Sequence, residues 1–267
     1  MATSLNIQVA LFSGRTTELS VPSDASVGRL RQLAEQELGV CLDTLCTASG
    51  NILHNADILS HAGLNDGDVV TAQAKMIQLA AVRNGSSGGS FSCLLHDKSV
   101  VSWGHPGFGG DCSQVRDQLV DVQQIQANTC AFAAIRGDGS VVTWGDSFDG
   151  GDSSAVRDQL QGVARIQASF GAFAALRSDG SVVCWGREVY GGDCSSVEDR
   201  LQDVQEIQAS VGAFAAIRAD GSVVTWGDAA DGGDSTAVRD QLHGVRHIQA
   251  SSSAFAAIRS DGSVVTW

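Results

Sequence analysis

Asp146, Asp149 and Asp152 recur as Asp228, Asp231 and Asp234 in glycine-containing stretches, and carboxylates so placed could offer oxygen ligands to Ca²⁺. Arg187 and Glu188 interrupt the middle copy and no Ca²⁺-loop spacing is met, so these aspartates are read as turn formers. Arg136, Arg177, Arg218 and Arg259 each stand just before an Asp-Gly pair. They are candidates for contact with an acidic partner, although pairing with the turn acid of the same hairpin is the favoured reading. Six histidines, His54, His61, His96, His105, His243 and His247, fall in no ligand spacing, and surface positions are expected for them. The seven cysteines include no Cys-x-x-Cys. Cys112 and Cys194 stand where Ser153 and Ser235 do, Cys184 replaces Thr143 and Thr225, and Cys93 replaces Ala134, so they read as small packing residues. With no phosphate loop, nucleophile elbow or zinc signature, no catalytic residue, metal site or cofactor is assigned, and no enzyme is expected in this chain.

The elements that carry these residues are set by a repeat. Trp103, Trp144, Trp185, Trp226 and Trp267 follow one another at intervals of 41 residues, as do Phe91, Phe132, Phe173, Phe214 and Phe255. A fixed period of this size marks a propeller, solenoid or other array. Within each period two apolar runs, such as 132–135 and 141–144, flank Asp138-Gly139 or its counterpart, which predicts a hairpin with both turn residues at positive φ. The first copy has Asp97-Lys98 instead. Near-continuous apolarity predicts strands covered on both faces, with the tryptophan and phenylalanine as core between stacked units. A third strand precedes each hairpin at Ile125, Ile166, Ile207 and Ile248, and no fourth is evident. In the first copy Asn84–Ser90 lengthens that connection into a flexible loop. Ser154 to Leu160 predicts one helical turn behind a serine cap.

The run Phe-Ala-Ala-Ile-Arg-x-Asp-Gly-Ser-Val-Val-Thr-Trp-Gly, followed by Gly-Gly-Asp, resembles the regulator-of-chromosome-condensation repeat over about residues 77–267. That resemblance implies a partial or open β-propeller of about five units. Because the chain stops at Trp267, before the Gly-Gly-Asp that follows every earlier tryptophan, the natural product is expected to run on, or else closure or a partner covers the last face.

Residues 5–74 have another rhythm. Leu5 to Leu11 and Thr17 to Val21 alternate about a turn at Ser13–Thr16. Pro22-Ser23-Asp24 offers cap chemistry to a helix with an apolar stripe at Val27, Leu30, Leu33, Ala34 and Leu38, ended by Gly39. Short strands follow at 42–47, 51–53 and 69–72. This order, with Ala-Gly-Leu-x-Asp-Gly-Asp before the last strand, resembles a ubiquitin-like α+β β-grasp domain. The resemblance implies a recognition patch in which Phe12 and Cys46 take two positions and a residue near Ala72 or Gln73 the third. Ala74-Lys75-Met76-Ile77 replaces ubiquitin's Gly-Gly tail, so conjugation is not expected, and the absence of lysine before Lys75 argues against chain building.

The expected organisation is therefore a ubiquitin-like domain at 1–75 and mainly-β repeats at 76–267. The net charge of −13 opposes nucleic acid and anionic membrane as partners, leaving protein partners. No signal-peptide pattern and no apolar run of about 18 residues is present, and a cytoplasmic or nuclear protein is expected. The leading functional expectation is a non-catalytic interaction scaffold, in the ubiquitin pathway by resemblance. A second is the front part of a larger propeller-containing ubiquitin ligase whose catalytic lobe lies elsewhere, and a third, carried by the family name alone, is nucleotide exchange on a small GTPase.

Overall fold

The computed structural model describes residues 3–11, 15–74, 78–83, 88–95 and 98–267. They form two compact units, Met1–Ile77 and Gln78–Trp267. In the first, β1 (Ser4–Leu11) buries Leu5, Ile7, Val9 and Leu11 and pairs antiparallel with β2 (Thr16–Pro22). The helix α1 (Val27–Leu38) starts later than the cap chemistry at Pro22–Asp24 implied. Ser26 is its cap, its Oγ accepting from the Arg29 N–H at 3.2 Å, and Gly39 ends it at φ 63°. Completing the sheet are β3 (Leu42–Cys46), β4 (Ile52–Leu53) and β5 (Val69–Ala74), in the order β2-β1-β5-β3-β4 with β5 parallel to β1. This is the strand order of a β-grasp, and one cluster from Leu5 to Ala72 forms its core.

The repeats fold as three-stranded antiparallel sheets, here numbered I to V. Unit I comprises β6 (Gln78–Arg83), β7 (Gly89–Leu94) and β8 (Val100–Gly104); unit II, β9 (Val122–Ala127), β10 (Ala131–Arg136) and β11 (Val141–Gly145). Unit III comprises β12 (Val163–Ala168), β13 (Ala172–Arg177) and β14 (Val182–Gly186); unit IV, β15 (Val204–Ala209), β16 (Ala213–Arg218) and β17 (Val223–Gly227). Unit V comprises β18 (Val245–Ala250), β19 (Phe255–Arg259) and β20 (Val264–Thr266).

Period-two geometry explains why the middle strands are apolar throughout. Phe132 and Ala134 of β10 pack against Val82, Leu94 and Val100 of unit I, while Ala131, Ala133 and Ile135 of the same strand pack against Ile166, Phe173 and Trp185 of unit III. Phe132 lies directly opposite Trp144, their rings stacked at 5.3 Å. From Trp144 onward the indole N–H donates to a glycine carbonyl 35 residues earlier: Trp144 to Gly109 at 3.1 Å, Trp185 to Gly150 at 3.0 Å, Trp226 to Gly191 at 3.1 Å and Trp267 to Gly232 at 3.0 Å. Those glycines have positive φ, and at Gly150 (φ 91°) a Cβ would stand 2.8 Å from the Phe173 ring. Phe132, Phe173, Phe214 and Phe255 are buried, as are Trp144, Trp185 and Trp226, and Trp267 is half-buried. Trp103 departs from the expectation that every repeat tryptophan is core: it is 46% exposed, and Phe91 is exposed with it. The array is unclosed: Ile258 and Val264 of unit V are likewise exposed at its other end.

Two local expectations are corrected. In the Asp-Gly turns only the glycine has positive φ; the Gly139 N–H returns to the Arg136 carbonyl and the Asp138 carboxylate accepts from the Ser140 N–H at 2.9 Å and hydroxyl at 2.6 Å. This is a longer loop than a two-residue hairpin turn. In unit I, Lys98 takes the glycine's place at φ 65°. The helical turn after each tryptophan is a 3₁₀ segment, Ser154–Gln159 in unit II, whose preceding serine makes no side-chain cap. Asp152 caps it instead, accepting from the Ser154 N–H at 2.9 Å. Of the long connection in unit I, residues 84–87 lie outside the described residues.

Candidate protein-interaction surface

Superposing the units separates what repeats from what does not. The strands and the Gly-Gly-Asp caps recur, whereas two short segments vary from copy to copy around a few shared positions. One runs up to the Gly-Gly pair: His105–Phe108, Asp146–Asp149, Arg187–Tyr190 and Asp228–Asp231. The other precedes the middle strand: Asn128–Cys130, Ser169–Gly171, Ser210–Gly212 and Ser251–Ser253.

Folding brings them to one rim. The Asn128 amide donates to the Asp149 carbonyl at 2.5 Å, the Ser169 hydroxyl to the Tyr190 carbonyl at 2.7 Å, and the Ser210 hydroxyl to the Asp231 carbonyl at 2.8 Å. Successive units are stitched by backbone bonds, the Phe170 N–H reaching the Val211 carbonyl at 2.8 Å and the Val211 N–H the Ser252 carbonyl at 2.9 Å. Side chains on this frame are apolar yet exposed. Phe148 is 76% exposed, and Val189, Phe170 and Val211 are also open to solvent. Phe170 meets the Tyr190 ring at 5.2 Å. Phe148, Arg187, Val189 and Asp228 border a groove of about 830 Å³. Arg187, on the groove's border, donates from Nε to the Asp149 carboxylate, only 5% exposed, which locks the unit II loop to the unit III loop and raises the arginine's affinity for its proton.

The sequence-derived candidates fall elsewhere. Arg136, Arg177, Arg218 and Arg259 lie at the Asp-Gly turns, each within 3.2–3.5 Å of the acid of its own turn, at Asp138, Asp179, Asp220 and Asp261. Each Nε also donates to a carbonyl of the preceding connector, as Arg177 does to Gln161 at 3.0 Å. Their guanidinium groups are thus occupied within the fold. The loop aspartates accept from backbone N–H groups, Asp146 from Phe148 at 2.9 Å and Asp228 from Ala230 at 2.8 Å, and no cluster of three or more ligand-type side chains occurs among the described residues. The described histidines are exposed; His243 packs on the Arg259 guanidinium, and His247 lies 3.6 Å from Glu206. In the β-grasp unit Phe12 lies outside the described residues. Cys46 is half-buried on the outward face of β3, opposite Thr71 of β5 and Ile52 of β4. Of the two candidates for the third patch position, Ala72 is in the core and Gln73 is outward. Ile52 and Val69, both exposed, were missed by sequence reasoning.

No protein-family model matches the chain, and neither does any curated protein. Among solved structures, the ectodomain of the receptor kinase CR4 from Physcomitrella patens is similar over 72% of this chain and 54% of that one, at 18% identity and a TM-score of 0.49. The CRINKLY WD40 ectodomain of the Arabidopsis thaliana receptor kinase ACR4 covers 72% of each chain at 16% identity and a TM-score of 0.45. The N-terminal ubiquitin-like domain of the 4931431F19Rik protein covers 33% of this chain and 84% of that domain, at 22% identity and a TM-score of 0.26. Assignment of the two units rests on strand order and register. No described helix is long and apolar enough to cross a membrane.

Proposed function

We propose that this chain is a non-catalytic scaffold that holds a protein partner on the divergent rim of its repeat array. The observation that carries the reading is Phe148, a large aromatic side chain left in solvent at the border of a groove, on a loop that the adjacent Asp149 ties to Arg187 of the next unit. Exposed aromatic anchors on loops held by a rigid frame are the usual form of a protein-binding hot spot. Units I–V are read as blades of a regulator-of-chromosome-condensation propeller, and the first unit as ubiquitin-like. The β-grasp strand order supports a place in the ubiquitin pathway, either as a free-standing adaptor or within a larger ligase.

The test is a quantitative capture of binding proteins by the full chain and by a Phe148→Ser, Val189→Ser variant of matched thermal stability. Partners held by the wild type should be lost by the variant. An unchanged set would overturn the reading.

A further inference from the structure

The third strand of a unit and the connector after it bring two small side chains into contact. In unit II the Thr143 hydroxyl donates to the Ser153 hydroxyl at 3.0 Å, and in unit IV Thr225 and Ser235 make the same contact at 2.9 Å. In unit III both of these positions are cysteine, Cys184 and Cys194, each a free thiol less than a tenth exposed and in the same packed cluster. Unit I has only one, Cys112, beside the strand position held by Ser102. The contact is rigidly framed: Cys184 sits in β14 between Val183 and Trp185, and the adjacent Asp193 carboxylate fixes the connector by accepting from the Ser195 N–H at 2.8 Å.

We propose that Cys184 and Cys194 form a redox-active dithiol that closes to a disulfide when a hydroperoxide is present. Cys194 is the attacking thiol: the neighbouring Cys184 thiol holds it below the ordinary thiol range, against the opposing effects of burial and of the Asp193 and Glu198 carboxylates, whereas burial pushes Cys184 up. The Cys194 thiolate attacks one peroxide oxygen, the O–O bond breaks, and with one proton the other oxygen leaves as water, giving the sulfenic acid. The Cys184 sulfur then attacks the sulfenic sulfur, and its proton leaves with the displaced hydroxide as a second water. Two thiols and one hydrogen peroxide thus give one disulfide and two waters, the two electrons passing from sulfur to the peroxide. The bridge closes a loop that contains Arg187, Val189 and Tyr190, so oxidation clamps one segment of the rim; only this last consequence rests on the scaffold reading.

The experiment treats the full chain with hydrogen peroxide, alkylates remaining thiols and digests with trypsin without reductant. Cleavage after Arg177, Arg187 and Arg200 leaves Cys184 and Cys194 on separate peptides, expected to be recovered joined, and Cys194 to be consumed before Cys112. A Cys184→Thr, Cys194→Ser variant restores the pair found in units II and IV, so it should fold as the parent does and yield no joined peptide. Recovery of both peptides singly alkylated, over-oxidation of Cys194 without a bridge, or bridging elsewhere at an equal rate would each overturn the proposal. Loss of the bridge leaves partner capture untouched as a question, so the two readings fail separately.

Discussion

A tryptophan's worth in this chain depends on whether another unit lies in front of it. Trp144, about 4% exposed, fills the contact between units I and II, and Trp144→Ala should cost about 3–5 kcal/mol in urea unfolding. Trp103→Ala, at the uncovered end, should cost about 1 kcal/mol or less, since nearly half of its surface is already wet. Equal losses at the two sites would contradict the stacking. Lys98, left-handed where the other units have glycine, holds an ion pair with Asp121 at 2.8 Å between two largely exposed side chains. Relief of backbone strain, about 1 kcal/mol, outweighs an exposed pair worth a few tenths, so Lys98→Gly should raise the urea midpoint slightly. The signals at this scale were unevenly legible. The tryptophan period was plain because identical residues recur, but the pairing of Cys184 with Cys194 was not, since each alone reads as a Thr or Ser substitute and only the fold sets them side by side.

The turns and caps make their own contribution at the scale of the element. Asp138, Asp179, Asp220 and Asp261 are held below the usual carboxylate range by the serine hydroxyl and N–H of their own turns, and Asp111, Asp152, Asp193 and Asp234 by the backbone N–H they cap. A carboxylate whose folded pKa is depressed adds stability above its unfolded value, near about 3.9, and loses it as pH falls through the lower folded value. The midpoint of denaturation should therefore hold between pH 7 and 5 and fall below about pH 4; a fall centred between 7 and 5 would point to other groups. The Asp149–Arg187 pair links neighbouring loops. Arg187→Ala strands a buried carboxylate and should cost about 1–3 kcal/mol, whereas Arg136→Ala, which breaks a pair with an exposed acid, should cost less. Asp-Gly announces the hairpins of units II to V, yet the turn class differs from the two-residue expectation, because the loop's length is fixed by the Arg136 and Ser140 backbone pairing rather than by the dipeptide.

Within the repeat array, units II to IV each bury one face on the unit before and the other on the unit after, so stability is shared between neighbours. That frame was legible from periodicity and the middle strands' unbroken apolarity. The rim was not, because its signal is the failure to repeat: Phe148, Val189 and Ala230 occupy one position, and only against the constant frame does their divergence mark a place where selection for packing is relaxed. Homogenising the rim tests this division most directly. Ser147→Ala, Phe148→Ala, Glu188→Ala and Val189→Ala would give units II and III the Ala-Ala pair that unit IV already folds in its loop, leaving the Asp149–Arg187 pair in place. Affinity for a captured partner should collapse while the array's thermal transition stays within a few degrees of the parent. Undiminished affinity in that chain, with affinity lost on neutralising Arg136, Arg177, Arg218 and Arg259, would place recognition on the opposite rim and contradict the account.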